Sequence, residues 1–158
     1  MPQNIPFVHL HFHTAYSLLD GCCRVEKSIE NAKQMGMNAL AITDHGVMYG
    51  AIEFFKKAKE VGIRPILGCE AYMAHGSMLE KKREEETGSQ ANHQLLLCET
   101  NEGYANLTRL VSMGHLQGYY YKPRIDLETL AKYSKGLIGT SSCLNGQIPT
   151  RILRGDMA

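Results

Sequence analysis

Residues 39–42, Ala-Leu-Ala-Ile, are apolar without a break and run directly into Thr43-Asp44-His45-Gly46. A strand with one wet face alternates apolar and polar positions. An unbroken run belongs to a strand covered on both faces, the usual condition of a parallel sheet flanked by helices. Open sheets of that kind present ligand-binding groups at their strand ends, which is where Asp44 and His45 fall. The run points to a layered α/β architecture with its chemistry along one sheet edge.

The rest of the chain repeats this pattern. Expected strands cover residues 7–13, 37–43, 64–72, 93–98 and 137–140, and expected helices cover 25–35, 51–61, 101–113, 127–133 and 148–154. Gly62 is a stop signal for the second helix, and Asp126 is a cap for the fourth. Residues 75–92 interrupt the alternation with the polar run EKKREEE, read as a solvated loop or short helix. Alternating strands and helices predict a mainly parallel sheet or barrel. With 158 residues, 44% of them hydrophobic, the chain can bury one core. It is too short for a complete eight-unit barrel, or for a polymerase with separate palm, fingers and thumb.

Charge and cysteines narrow the function classes. The net charge of +1 argues against a free-standing nucleic-acid clamp, although seven basic and three acidic residues from Arg109 onward leave that stretch at +4. Five cysteines with no CxxC spacing propose no closed disulfide framework. No apolar run is long enough to span a membrane, and no secretory leader is visible. A reducing cytoplasm is the expected compartment. Neither a phosphate loop nor a dinucleotide fingerprint is found.

The chemistry concentrates in a few places. In FVHLHFHT, His9, His11 and His13 have strand spacing and are expected on one face. Imidazoles crowded this closely gain from sharing a cation. After the run at 39–42, His45 is a ligand candidate, while Asp44 either coordinates or orients an imidazole. Glu70, in ILGCEAY, ends another apolar strand, where a carboxylate requires a metal or a cation. His93 opens HQLLLC, Cys143 follows GLIGTSS, and Asp20 closes YSLLDG. Ligands recurring at successive strand ends suit a hydrolytic centre with more than one metal ion. Cys22, Cys23, Cys69, Cys98, His75 and His115 read as structural. GYYYKPR offers Tyr120, Lys122 and Arg124 as weaker nucleic-acid contacts.

These residues sit in long stretches, FVHLHFHTAYSLLDG, ALAITDHGVMYGAIEFFKKAKEVGIRPILGCEAYMA, YYYKPRIDLETLAKYSKGLIG and SSCLNGQIP. Together they closely resemble the N-terminal polymerase-and-histidinol-phosphatase (PHP) domain of bacterial DNA polymerase III alpha subunits. The resemblance covers essentially the whole chain and is most specific in its first half. It maps the family's HxH pair onto His11 and His13, with His9 preceding it. Its further metal positions fall on Asp20, His45, Glu70, His93 and Cys143. The family's late Asp-x-His element has no counterpart in the sequence.

The resemblance implies an incomplete, distorted (β/α) barrel, truncated before closure, with residues 1–158 the N-terminal part of a PHP domain. The late PHP strands and the polymerase palm, fingers and thumb are then missing. It implies Zn or Mn at the PHP site and a possible 3'–5' exonuclease role. No side chain is assigned as nucleophile, the attacking water being positioned by His11, His13, Asp20, His45 and Glu70. The parent would be a DNA-directed DNA polymerase, a nucleotidyltransferase of DNA replication. It would use Mg at its own site, primer-template and deoxynucleoside triphosphates as substrates, and replisome subunits, a proofreading exonuclease among them, as partners. Two alternatives are a PHP phosphoesterase acting on small phosphate monoesters and a non-catalytic docking module.

Overall fold

The structure, a computed structural model, describes residues 7–18, 20–82 and 91–156. In chain order the elements are α1 (Val25–Gln34), β1 (Ala39–Ile42), α2 (Ala51–Val61), β2 (Arg64–Met73), β3 (Asn92–Cys98) and α3 (Asn101–Leu116). There follow β4 (Tyr119–Tyr120), β5 (Lys122–Ile125), α4 (Leu127–Lys132), β6 (Leu137–Thr140) and α5 (Gln147–Leu153). The six strands join one open sheet in the order β4-β5-β2-β3-β6, with β1 on the first half of β2. Among the described residues, no helix is long and apolar enough to cross a membrane.

Helix periodicity determines which side the helices cover. Val25, Ile29 and Ala32 form the buried stripe of α1, and Ala51, Phe54 and Ala58 that of α2. Both stripes pack on Leu40 and Ile42 of β1. Ile29 and Phe54 are fully buried, each side chain contributing about 2 kcal/mol. Gly62 ends α2 in the left-handed conformation, φ 80°, as its position predicted. Farther along the sheet, Leu107 and Leu110 of α3 cover Cys69, Ala71, Met73 and Leu96. Alternation along β2 turns Glu70 and Tyr72 to the opposite face, where Ala41, Leu95 and Leu97 form a smaller cluster.

The sheet is mixed rather than mainly parallel. Pairs β1–β2 and β2–β5 are parallel, whereas β2–β3, β3–β6 and β4–β5 are antiparallel. A parallel partner needs a crossover, normally a helix, while an antiparallel one needs only a loop. The connection carrying EKKREEE has no apolar stripe with which a crossover helix could pack on the sheet. Its residues 83–90 lie outside those described. The β4–β5 hairpin is not among the expected strands, and a proline within a run ordinarily argues against a strand. Pro123 is tolerated here near the edge of the sheet, opposite Tyr119.

Residues 7–13 form no strand. The Ala41 N–H donates to His9 O at 3.0 Å and the Thr43 N–H donates to Phe12 O at 2.9 Å. Three steps along one segment therefore oppose two along the other. The extra residue bends the chain at Leu10 and His11, as a bulge does, and breaks the expected histidine alternation.

Candidate metal centre

Glu70 lies on β2 with 0% exposure. Register places it opposite Leu95 and places Tyr72 opposite His93. An ionised carboxylate this deep costs several kcal/mol unless it is paired. Glu70 Oε1 lies 3.2 Å from His11 Nε2 and 3.0 Å from His93 Nδ1, and accepts the Ser142 hydroxyl at 2.7 Å. Glu70 Oε2 lies 2.6 Å from His45 Nδ1 and 3.4 Å from His13 Nε2. Cys143 Sγ stands at the rim, 3.7 Å from Glu70 Oε1 and 3.6 Å from His93 Nδ1.

Each group arrives on a different piece of backbone. The chain beyond β1 carries His45 into a parallel bridge with Glu70, closed by the Gly46 N–H donating to Glu70 O at 2.9 Å. Gly46 has φ +63°, and a Cβ there would come within 2.9 Å of both Pro123 and Tyr72. Only glycine lets this turn and β5 approach so closely. The turn after β6 reaches β3 through the His93 N–H, which donates to Asn145 O at 2.9 Å. That bond brings Ser142 and Cys143 to the carboxylate. His11 lies in the bend and His13 follows it, and the loop after them is tied down by Asp44. Asp44 is 1% exposed and accepts the Thr14 N–H at 2.6 Å, the Thr14 hydroxyl at 2.8 Å and the Ser17 hydroxyl at 2.7 Å.

Several expectations need correction. His9 is exposed, its ring edge-on to Phe7, because the bend turns it away from His11 and His13. Asp44 spends its oxygens on Thr14 and Ser17 and contributes neither a ligand nor an orienting bond to an imidazole. Asp20 reaches the cluster only through His45, its Oδ2 lying 2.9 Å from His45 Nε2. Arg124 is 1% exposed and donates to the carbonyls of Gly118, Met78 and Glu80 at 3.1, 3.0 and 2.9 Å. Held there, it presents almost no surface to a nucleic acid. Tyr120 is half-buried under the Arg124 guanidinium, 5.1 Å away. Lys122 is exposed above the Tyr72 ring at 5.3 Å. Ser142 and Tyr72 are the residues sequence reasoning missed; the only available signal for Ser142 was its place beside Cys143.

The electrostatics follow from this crowding. Burial alone would raise the Glu70 carboxyl, but His45, His93 and Ser142 outweigh it and hold the group well below the usual carboxylate range. Glu70 raises the His45 imidazole above 6.5 against the effect of burial, with help from Asp20. His13 is lowered, first by burial and then by His45. Burial, then Glu70, pushes the Tyr72 phenol up to about 12.

One carboxylate cannot satisfy all these rings. His11 Nε2, His13 Nδ1, His45 Nδ1 and Glu70 Oε2 are buried without a hydrogen-bond partner. Even the 2.6 Å approach of His45 to Glu70 has ion-pair distance without hydrogen-bond direction. Ligand atoms of His11, His13 and Glu70, and again of His45, Glu70 and His93, lie within 4.8 Å of one another. Buried polar atoms left unpaired are costly, and imidazole with carboxylate is a donor set for divalent first-row ions. The residues therefore fit divalent metal.

A family model described as "PHP domain" matches residues 9–158. The chain belongs to the PHP domain family. The DNA polymerase III alpha subunit of Borreliella burgdorferi is 50% identical over 93% of this chain, and that of Chlamydia muridarum is 45% identical over 96%. The Thermus aquaticus subunit is 44% identical over 98%. The chain spans only 12–13% of the length of these curated relatives. Among solved structures, an amidohydrolase from Chromobacterium violaceum, with bound sulfate and no metal, gives a TM-score of 0.46 at 23% identity. The overlap covers 68% of this chain and 32% of that one.

Proposed function

We propose that this PHP domain holds divalent metal, Zn or Mn, and hydrolyses phosphodiesters at the 3' end of DNA. The observation that carries the proposal is a buried carboxylate approached at 3.2 and 2.6 Å by His11 Nε2 and His45 Nδ1, both buried without a hydrogen-bond partner, with His13 and His93 crowded against the same group. His11, His13 and Glu70 would hold one ion and His45, His93 and Glu70 a second, with Cys143 at the rim. Bound metal supplies Lewis-acid activation of water and neutralises charge developing on the phosphate. The protein's own groups do the positioning. Asp20 accepts the His45 Nε2 proton and turns Nδ1 toward Glu70. Ser142 fixes the Glu70 carboxylate, and the buried Asp44 holds the turn that delivers His13.

The wider setting is the parent protein. Identities of 44–50% over nearly all of this chain support an N-terminal PHP segment of a cytoplasmic replicative DNA polymerase alpha subunit. We read the open sheet as part of a distorted barrel whose later strands lie downstream. Template-directed nucleotidyl transfer with Mg, primer-template, deoxynucleoside triphosphates and replisome partners belongs to that parent.

The test is metal content and hydrolysis on the same preparation. The chelator-treated chain, reloaded with Zn²⁺ or Mn²⁺, should release nucleotides from 3'-labelled single-stranded DNA. His11→Ala and Glu70→Gln should each lower bound metal and abolish release. A wild-type chain that folds but takes up no metal would sink the proposal. Stoichiometric metal without hydrolysis of DNA would leave a structural metal site and overturn the catalytic part.

A further inference from the structure

A groove of about 310 Å³ opens beside the cluster, with Asp20 and His45 on its inner wall. Its outer wall is aromatic. Tyr49, Tyr119 and Tyr121 line it at 64%, 54% and 58% exposure, and Lys122 stands among them. Exposed rings gathered into one patch, unlike rings scattered singly, mark a binding surface. Tyrosines, unlike leucines, present flat faces on which a planar ligand can stack.

The backbone adds a second observation. Tyr121, at the tip of the β4–β5 hairpin, has φ 58°. Glycine or asparagine would adopt this conformation at less cost than a bulky ring. The hairpin thus accepts strain where a side chain faces the groove. Its base is anchored by Arg124, and Gly46 allows β5 to lie close to the cluster. The Tyr72 ring continues the wall inward, stacked on His45 at 6.3 Å between centroids and edge-on to His93 at 5.2 Å. Aromatic wall, cation and imidazole cluster form one continuous surface.

We infer that this groove is a subsite for one unpaired nucleotide, its base stacked on Tyr49, Tyr119 or Tyr121 and its backbone phosphate toward Lys122 and the histidine cluster. A base already paired in a duplex has its faces covered by neighbours, so the subsite selects single-stranded ends. A sugar phosphate lacking a base leaves the aromatic wall unused. The inference deepens the phosphodiester reading and rests on it only for where the scissile phosphate lies.

Binding can be measured without metal, which separates the two readings. Fluorescence anisotropy of labelled oligodeoxythymidine on the chelator-treated chain should show saturable binding that ribose 5-phosphate does not displace. Tyr49→Ala and Tyr121→Ala should each weaken it roughly tenfold, the loss of one stacking partner. Tyr49→Phe, which keeps the ring, should bind as wild type, and Lys122→Gln should lower the salt dependence. Equal affinity for blunt duplex ends, or unchanged binding in both alanine variants with native circular dichroism, would overturn the subsite. In either case the metal reading would stand if hydrolysis persists.

Discussion

Asp44 Oδ1 accepts the backbone N–H of Thr14 at 2.6 Å, and this bond joins the end of β1 to the segment carrying His11 and His13. That segment pairs irregularly with β1, so side-chain bonds to Asp44 and Thr43 help fix its course. The Phe12 N–H donates to Thr43 Oγ1 at 2.7 Å, and the hydroxyls of Thr14 and Ser17 both donate to Asp44. Asp44→Ala leaves a buried N–H and two hydroxyls without an acceptor. A stability loss of about 3 kcal/mol is expected, together with weaker Zn²⁺ binding because His13 is no longer held. Urea unfolding and calorimetric titration check both, and unchanged metal affinity would remove Asp44 from the positioning scheme.

Arg124 is expected to act on stability alone. Its guanidinium closes the carbonyls of Gly118 and Met78 in buried bonds and that of Glu80 in a half-buried one. Arg124→Met keeps much of the apolar stem but strands those acceptors, at a cost of about 2–4 kcal/mol. Arg124→Lys should recover only part, since an ammonium cannot reproduce the fork. The salt dependence of DNA binding should stay as in wild type, and a clear drop in the salt slope would restore Arg124 as a phosphate contact.

What could be read in advance follows a physical line. His45, Glu70 and His93 each border an apolar run, and a charge or imidazole at such a boundary is conspicuous. The helices at 25–34 and 51–61 announce themselves through their stripes and Gly62. The bend at Leu10 and His11 does not, because strand alternation assumes one step per partner residue and an inserted residue leaves no mark in composition. The same assumption wrongly placed His9 beside His11. Arg124 and Asp44 were misplaced for a related reason: a charged side chain that satisfies buried backbone groups looks, in sequence, like one waiting for a ligand. The direction of β3 depended on a connection whose polar residues carry no periodic signal.

Acid should weaken the hold of Asp126. Burial pushes this carboxyl up, but the N–H groups of Met78 and Thr129 and the Thr129 hydroxyl outweigh burial and hold it below the usual carboxylate range. The fold therefore favours the ionised form. Its stabilisation is full above the unfolded value near ~3.9 and is lost as pH falls through the lower folded value. Asp126→Ala should cost about 2 kcal/mol near neutrality. The gap between wild type and variant should narrow in urea titrations carried toward about pH 3. A gap that stays constant over that range would mean the carboxylate charge contributes nothing.

Metal uptake should expel a proton from His45. Glu70, and then Asp20 with it, raise this imidazole above 6.5 despite burial, so the metal-free fold favours the protonated ring. A metal ligand must offer a lone pair, and only Nδ1 faces Glu70 once Asp20 holds Nε2. His13, lowered first by burial and then by His45, contributes less to the release than His45 does. Zn²⁺ affinity is therefore expected to rise with pH through the raised His45 value. Calorimetric titration in two buffers of different ionisation enthalpy should report proton release that grows as pH falls toward and below the raised His45 value. The same proton sets the metal-free stability: it stabilises the fold fully below the unfolded histidine value, and the contribution disappears as pH rises through the folded value. Without metal the chain should lose stability as pH rises across that window, and with Zn²⁺ bound it should not. Buffer-independent heats together with a flat metal-free stability profile would exclude a protonated His45 at the centre.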